Sequence, residues 1–155
     1  MSKAKRTPAG EALSGMMLDL FRVTSLALTA GDRLVAPLGL TSARWQILGA
    51  VIRADRPQPV AWIARDLGTH RQNVQRIIND LQEDGLVEFA PNPHHRRAQL
   101  VVLTEKGRRA FDDAMALQAP WISRIADSLH LKDLDAMRRV IGVLRRNLEV
   151  EEDQR

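Results

Sequence analysis

The sequence predicts a mainly α-helical fold interrupted by a single two-stranded hairpin. Three observations carry that expectation. Apolar residues recur at helical spacing along most of the chain. Two short helical stretches meet at Gly68, and the second turns a polar side outward. A turn-rich segment, Pro91–Arg97, separates the β-prone runs Leu86–Ala90 and Ala98–Leu103.

Composition sets the bounds. The chain has 155 residues, 45% hydrophobic and 27% charged, which is ordinary for one globular domain with a sizeable core. A formal net charge of +4 is compatible with a polyanionic partner without requiring one. With no cysteine, disulfides, thiolate metal sites and cysteine nucleophiles are all excluded. The apolar runs read as short and broken by charges, so no membrane-spanning helix is expected. No signal-peptide pattern follows Lys3, Lys5 and Arg6, and a cytoplasmic protein is the expectation.

Residues 1–10 read as a flexible basic arm. A helix over 11–36 follows, with Leu13, Met17, Leu20, Thr24 and Ala27 on one face and Met16, Val23, Leu26 and Ala30 on a second. So wide an apolar arc needs two surfaces to bury against, and a partner chain can supply one. Gly31 weakens this helix and Pro37–Gly39 ends it. Thr41 then caps a helix whose inner side carries Trp45, Leu48 and Ile52. After a polar turn over Arg53–Gln58, Pro59 suits the first position of the next helix. Val60, Ile63, Ala64 and Leu67 form its buried stripe, and Gly68 stops it.

Thr69 and Gln72 have the spacing of a capping box that opens a further helix. Val74, Ile77, Ile78 and Leu81 fall at i, i+3, i+4 and i+7 and predict its buried face. The opposite face carries Thr69, Gln72, Arg76 and Asn79, flanked by Asn73 and Gln75, with no acid before Asp80. Amides and guanidinium groups of this kind can form paired hydrogen bonds with base edges. Two short helices joined at a glycine make a helix-turn-helix, and Gly85 ends the second as a C′ glycine. The hairpin that follows is a wing, its tip Pro91-Asn92-Pro93-His94-His95-Arg96-Arg97 ending in two arginines. The expectation for 40–103 is thus a winged helix-turn-helix lobe that binds DNA.

Thr104 caps the next helix, which Pro120 should kink or interrupt near Trp121. In the last helix Leu134, Met137, Ile141, Leu144 and Leu148 are spaced 3, 4, 3 and 4, a narrow seam for helix–helix packing. Helices are therefore expected across 104–149, followed by an acidic tail over 150–155.

An ordered set of pieces resembles the MarR family of winged helix-turn-helix regulators. These are Leu40-Thr41, Trp45-Gln46-Ile47-Leu48, Ile63-Ala64-Arg65-Asp66-Leu67-Gly68, Arg71-Gln72-Asn73-Val74-Gln75-Arg76, Leu81-Gln82-Glu83-Asp84-Gly85-Leu86-Val87, Asn92-Pro93, Arg96-Arg97 and Leu103-Thr104-Glu105-Lys106-Gly107. The resemblance covers roughly residues 13–148 in order. It implies a homodimer held by the N- and C-terminal helices, with Leu13, Leu20, Leu134, Met137, Ile141, Leu144 and Leu148 as dimerisation residues. It also implies a pseudo-palindromic operator on double-stranded DNA, read in half-sites about 34 Å apart. Gln72, Asn73 and Arg76 match the family's base-facing positions and Arg97 its wing arginine. The full expected DNA-binding set is Thr69, His70, Arg71, Gln72, Asn73, Gln75, Arg76, Arg96 and Arg97. The sequence departs from the family at His95, which stands where a wing acid is common, and at His70, which replaces a serine and moves capping to Thr69.

The expected function is a transcriptional repressor released by a small aromatic or anionic effector, with Trp45 and Trp62 as candidate ligand contacts. The alternative is a winged-helix protein-interaction module that does not bind DNA. Such a module should expose aliphatic or aromatic anchors where this chain exposes amides and arginine. Enzymatic activity is not expected, since there is no phosphate loop, nucleophile elbow or His-Glu-x-x-His. Adjacent His94 and His95 lack metal-ligand spacing, so neither a metal nor another cofactor is expected.

Overall fold

The computed structural model describes residues 5–153. Met1–Ala4 of the basic arm and Gln154–Arg155 of the acidic tail lie outside the described residues. Two compact units are present, Met1–Leu117 and Gln118–Arg155, and the division falls inside one long helix.

In the first unit, α1 spans Pro8–Val35 and a short 3₁₀ turn spans Ala36–Leu38. The helix begins three residues before the expected Glu11, because Thr7 caps it by accepting from the Gly10 N–H at 3.0 Å and Pro8 sits in its first turn. The arm expected over 1–10 is therefore shorter by those three residues. Gly31 does more than weaken α1: it is buried, and a Cβ there would lie 2.4 Å from Ser42 Oγ. The close approach lets Ser42 Oγ donate to the Leu28 carbonyl at 2.8 Å, while the Ser42 N–H donates to Asp32 at 2.6 Å.

Pro8–Leu38 is long and apolar enough to cross a bilayer by length and composition alone: its most apolar stretch of 18 residues has a mean hydropathy of 1.2, and none of those 18 is buried within the chain. This corrects the expectation that every apolar run is too short. Asp19 and Arg22, paired at 3.2 Å, are the only charges between Leu13 and Ala30. A helix that buries both faces against protein passes the same test.

Helix α2 spans Ser42–Arg53, with Thr41 accepting from the Arg44 N–H at 3.2 Å as expected. The turn before the next helix holds an unanticipated strand, β1, of two residues, Gln58–Pro59. Helix α3 spans Val60–Asp66 and α4 spans Arg71–Glu83. Strands β2, Val87–Ala90, and β3, Leu100–Leu103, pair antiparallel with Val87 opposite Leu103 and Ala90 opposite Leu100. The sheet is three-stranded in the order β1-β3-β2, with Gln58 opposite Val101. The two-stranded wing is present within it. The core gathers Val35, Leu40, Ile47, Leu48, Ile63, Val74, Ile78, Leu81, Val87 and Val101 beneath this sheet and between α2, α3 and α4.

Helix α5, Glu105–Ala126, runs through Pro120 without interruption. Proline lacks the N–H that would bond the Ala116 carbonyl and its ring crowds that carbonyl, yet the helix continues, and Ser123 Oγ donates to the Ala119 carbonyl at 2.8 Å in the next turn. In the second unit, α6 spans Leu131–Asp153, so residues 150–153 of the expected tail are the end of a helix. Leu134, Met137, Ile141 and Leu148 are exposed on it, and Leu144 is half-buried.

Candidate nucleic-acid interface

Helix α4 is pinned from below. Val74, Ile77, Ile78 and Leu81 are all buried, as their spacing predicts, which fixes the helix rotation and turns Arg71, Gln72, Asn73, Arg76 and Asn79 to solvent. Both ends are set by glycines in the left-handed region, Gly68 at φ +62° and Gly85 at φ +72°. At each, the following N–H reaches back across the turn: Thr69 to Ala64 at 3.0 Å and Leu86 to Leu81 at 2.8 Å.

The capping role expected of Thr69 is not found, because α4 starts one residue later than expected. The Thr69 N–H closes the end of α3, and His70 occupies the N-cap of α4 without a side-chain cap bond. Helix α4 therefore starts at Arg71. Thr69 and His70 are exposed on the loop leading into it.

Along the outer face the side chains are partly tied to one another. Gln75 Nε2 donates to Asn79 Oδ1 at 2.9 Å, and Arg76 Nη2 donates to Asn73 Oδ1 at 3.2 Å. Arg76 Nη1 also stands 3.5 Å from Asp80, the first acid on the helix. Arg71 and Gln72 have no side-chain partner among the described residues.

Asn92 organises the wing tip. Its Nδ2 donates to the Ala98 carbonyl at 2.9 Å and its Oδ1 accepts from the His94 N–H at 3.0 Å. The Ala98 N–H donates to the His95 carbonyl at 3.0 Å, closing the turn. Asn92 thus supplies local order by a route other than an acid at position 95. Arg96 and Arg97 are exposed beside it.

The helix and the wing face one groove of about 1280 Å³. It brings together Arg71, Gln75 and Asn79 from α4 with His94, His95 and Arg97 from the wing. No aspartate or glutamate lines it. A shallower recess of about 570 Å³ adjoins it, lined by Arg71, Gln72, Gln75, Arg76 and Asn79. Asn73, Thr69, His70 and Arg96 are exposed but line neither.

The two candidate ligand tryptophans separate. Trp62 lines the groove and is 41% exposed, whereas Trp45 is half-buried against the core and plays a packing part. Arg56, Pro57 and Phe89 also line the groove, and sequence reasoning passed over them. Arg56 lies in a stretch that reads as a plain polar turn, and only the pairing of β1 with β3 carries it to the wing. Among the described residues, no cluster of histidine, aspartate and glutamate could hold a metal ion.

Comparison with known proteins fits this arrangement. A model of the MarR family matches residues 38–98. An uncharacterized protein of Mycobacterium tuberculosis is 37% identical, across 87% of this chain and 96% of its own length. The transcriptional activatory protein BadR of Rhodopseudomonas palustris is 31% identical, across 66% of this chain and 59% of BadR. Among solved structures, CouR of Rhodococcus jostii RHA1 bound to p-coumaroyl-CoA superposes with a TM-score of 0.75 at 25% identity, across 83% of this chain and 90% of CouR. The transcriptional repressor CouR bound to a 23-mer DNA duplex also gives 0.75 at 25% identity, across 91% and 99% of the two chains. The match runs through the lobe that carries α4 and the wing and extends to nearly the whole chain, so this protein belongs to the MarR family of transcriptional regulators.

Proposed function

We propose that the protein is a homodimeric, sequence-specific DNA-binding regulator that represses transcription from a pseudo-palindromic operator and is released by a small aromatic or anionic ligand. One observation carries the DNA reading. The outer face of α4 is free of acids through Asn79, bears amides and guanidinium groups, and shares an acid-free groove with the wing arginine. Amide and arginine side chains read base edges, and unpaired arginines neutralise phosphates.

Gln72, Asn73 and Arg76 are assigned to base contacts, Arg97 to the wing contact, and Thr69, His70, Arg71, Gln75 and Arg96 to the surrounding backbone and helix-entry contacts. Dimerisation rests on unburied apolar area. Phe21 is 64% and Leu26 71% exposed on α1, and Met137 and Ile141 are exposed on α6. Large apolar side chains left exposed on each of these helices support an interface. Repression and ligand release draw on CouR, a repressor whose structure holds an aromatic acyl-CoA. BadR is an activator, so the sign of regulation here is a matter for a reporter assay.

The central test is duplex binding measured against salt. Neutralisation of several phosphates predicts a steep linear fall of log K with log salt, with a slope of about −0.9 per phosphate. A flat response would refute the reading.

A further inference from the structure

Trp62 stands beside the DNA-facing elements with nothing in the helix-turn-helix scheme to explain it. We infer that Trp62, Arg56 and Arg65 form a cationic ledge that holds phosphates of the DNA backbone, a contact separate from the reading helix and the wing. The inference rests on the DNA-binding reading above and adds residues to it.

The geometry supplies three supports. The guanidinium carbons of Arg56 and Arg65 lie 5.9 and 5.7 Å from the centroid of the Trp62 ring, within cation–π range. An arginine held against a ring keeps its N–H donors for another acceptor. Neither Arg56 nor Arg65 makes an ion pair or a side-chain hydrogen bond among the described residues, although Asp55 and Asp66 are their chain neighbours. Exposed arginines on other helices do take acids, as Arg76 takes Asp80 and Arg109 takes Glu105.

The ledge is also mechanically tied to the rest of the interface. Arg56 precedes Pro57 and then β1, whose Gln58 and Pro59 pair with Val101 and Leu100 of β3, the strand that returns from the wing. Helix α3 begins immediately afterwards, and Trp62 and Arg65 sit one turn apart on it. Arg56 and Trp62 line the same groove as Arg71 and Arg97.

The occupant follows from size and charge. The groove has about 1280 Å³, no acidic lining residue and continuity with the recess on α4. Pockets for small molecules are usually about 300–1,000 Å³ and enclose their ligand. An open, basic trough running from the reading helix past Trp62 suits a phosphodiester backbone better than a small anion.

The test uses the full chain and a random-sequence duplex long enough to span two lobes, with affinity measured across a salt series. Arg56→Ala/Arg65→Ala should reduce the salt slope by about 1.8, two contacts' worth. It should weaken operator and random duplex alike. Trp62→Leu should weaken binding several-fold at fixed salt, and Trp62→Phe, which keeps a π face, should recover it. All variants should melt with the wild type. An unchanged slope in the double arginine variant would overturn the inference, as would equal behaviour of the Leu and Phe variants. Benzoate serves as the competing probe: saturable quenching of tryptophan emission that is absent in Trp62→Phe and that duplex displaces would assign the ledge to a small anion instead. If the wild type binds no duplex in a salt-dependent way, the DNA reading itself fails. If the wild type binds and only the ledge variants are silent, the ledge alone fails.

Discussion

Arg76 is prearranged along its helix rather than free in solvent. Asn73 accepts from one of its terminal nitrogens and Asp80 stands against the other, so its rotamer is restricted before any base arrives. Both pair members are largely exposed, so the Asp80 contact adds little to stability and mainly directs the side chain. Among the described residues Arg97 has no such partner, and it sits on a tip that Asn92 holds through both its amide atoms. The two arginines should therefore fail differently. Arg76→Ala should cut discrimination between operator and random duplex by about 1–3 kcal/mol, whereas Arg97→Ala should weaken both duplexes evenly and lower the salt slope by about 1. Titrating each variant against both duplexes separates the two. Equal loss of discrimination in both variants would show that base and backbone roles are misassigned.

At the scale of elements, the lobe depends on a junction where the end of α4, β2 and α5 meet at Thr104 and Gly107. Thr104 Oγ1 donates to the Gly85 carbonyl at 2.7 Å and accepts from the Gly107 N–H at 3.0 Å, and Lys106 Nζ bonds the Asp84 carbonyl at 2.7 Å. A Cβ at residue 107 would fall 1.9 Å from the Leu86 carbonyl oxygen. That oxygen also accepts from the Thr104 N–H at 3.2 Å, so it cannot retreat without breaking the junction. Gly107→Ala should destabilise by about 3 kcal/mol, the upper end for overpacking, and lower Tm by roughly 6–12 °C. A thermal melt at wild-type temperature would disprove the junction's role.

What the sequence made legible, and what it hid, follows the same scale. The α4 stripe was readable because four buried positions repeat with the helix period, and the wing because proline and asparagine punctuate two β-prone runs. Strand β1 was not readable: it is two residues long, ends in proline and exists only through its pairing with β3. Thr69 is not the cap because α4 begins one residue later than the Thr69/Gln72 spacing implies: the first backbone bonds of the helix run to the His70 carbonyl, which makes His70 the N-cap. The Thr7-Pro8 start of α1 did carry a readable signal, masked by the basic residues around it. Trp62 was visible as an odd residue in sequence, but its two arginines come from a turn and from the next helical turn, which no local pattern joins.

For the whole molecule, the decisive question is what covers the apolar surface that each unit leaves open. Leu13 and Leu20, expected at the dimer interface, are already half-buried within the chain. The larger unburied area on α1 belongs to Leu18, Phe21, Val23 and Leu26, and on α6 to Met137, Val140, Ile141 and Val143. A second copy covering these side chains gains about 25 cal/mol per Å² of apolar surface removed from water. On the proposed reading it would also place two copies of α4 on one duplex, so that the second half-site would bind at a high effective concentration. Leu26→Glu isolates this effect, because a residue 71% exposed in the monomer contributes little to its own fold. The variant should keep its helical circular dichroism, sediment as a monomer, and lose about 10²–10⁴ in operator affinity. Ile141→Glu should do the same from the other unit. A Leu26→Glu protein that still sediments as a dimer and binds operator at wild-type strength would remove α1 from the interface. One that becomes monomeric without losing affinity would show that a single lobe is enough to read the site.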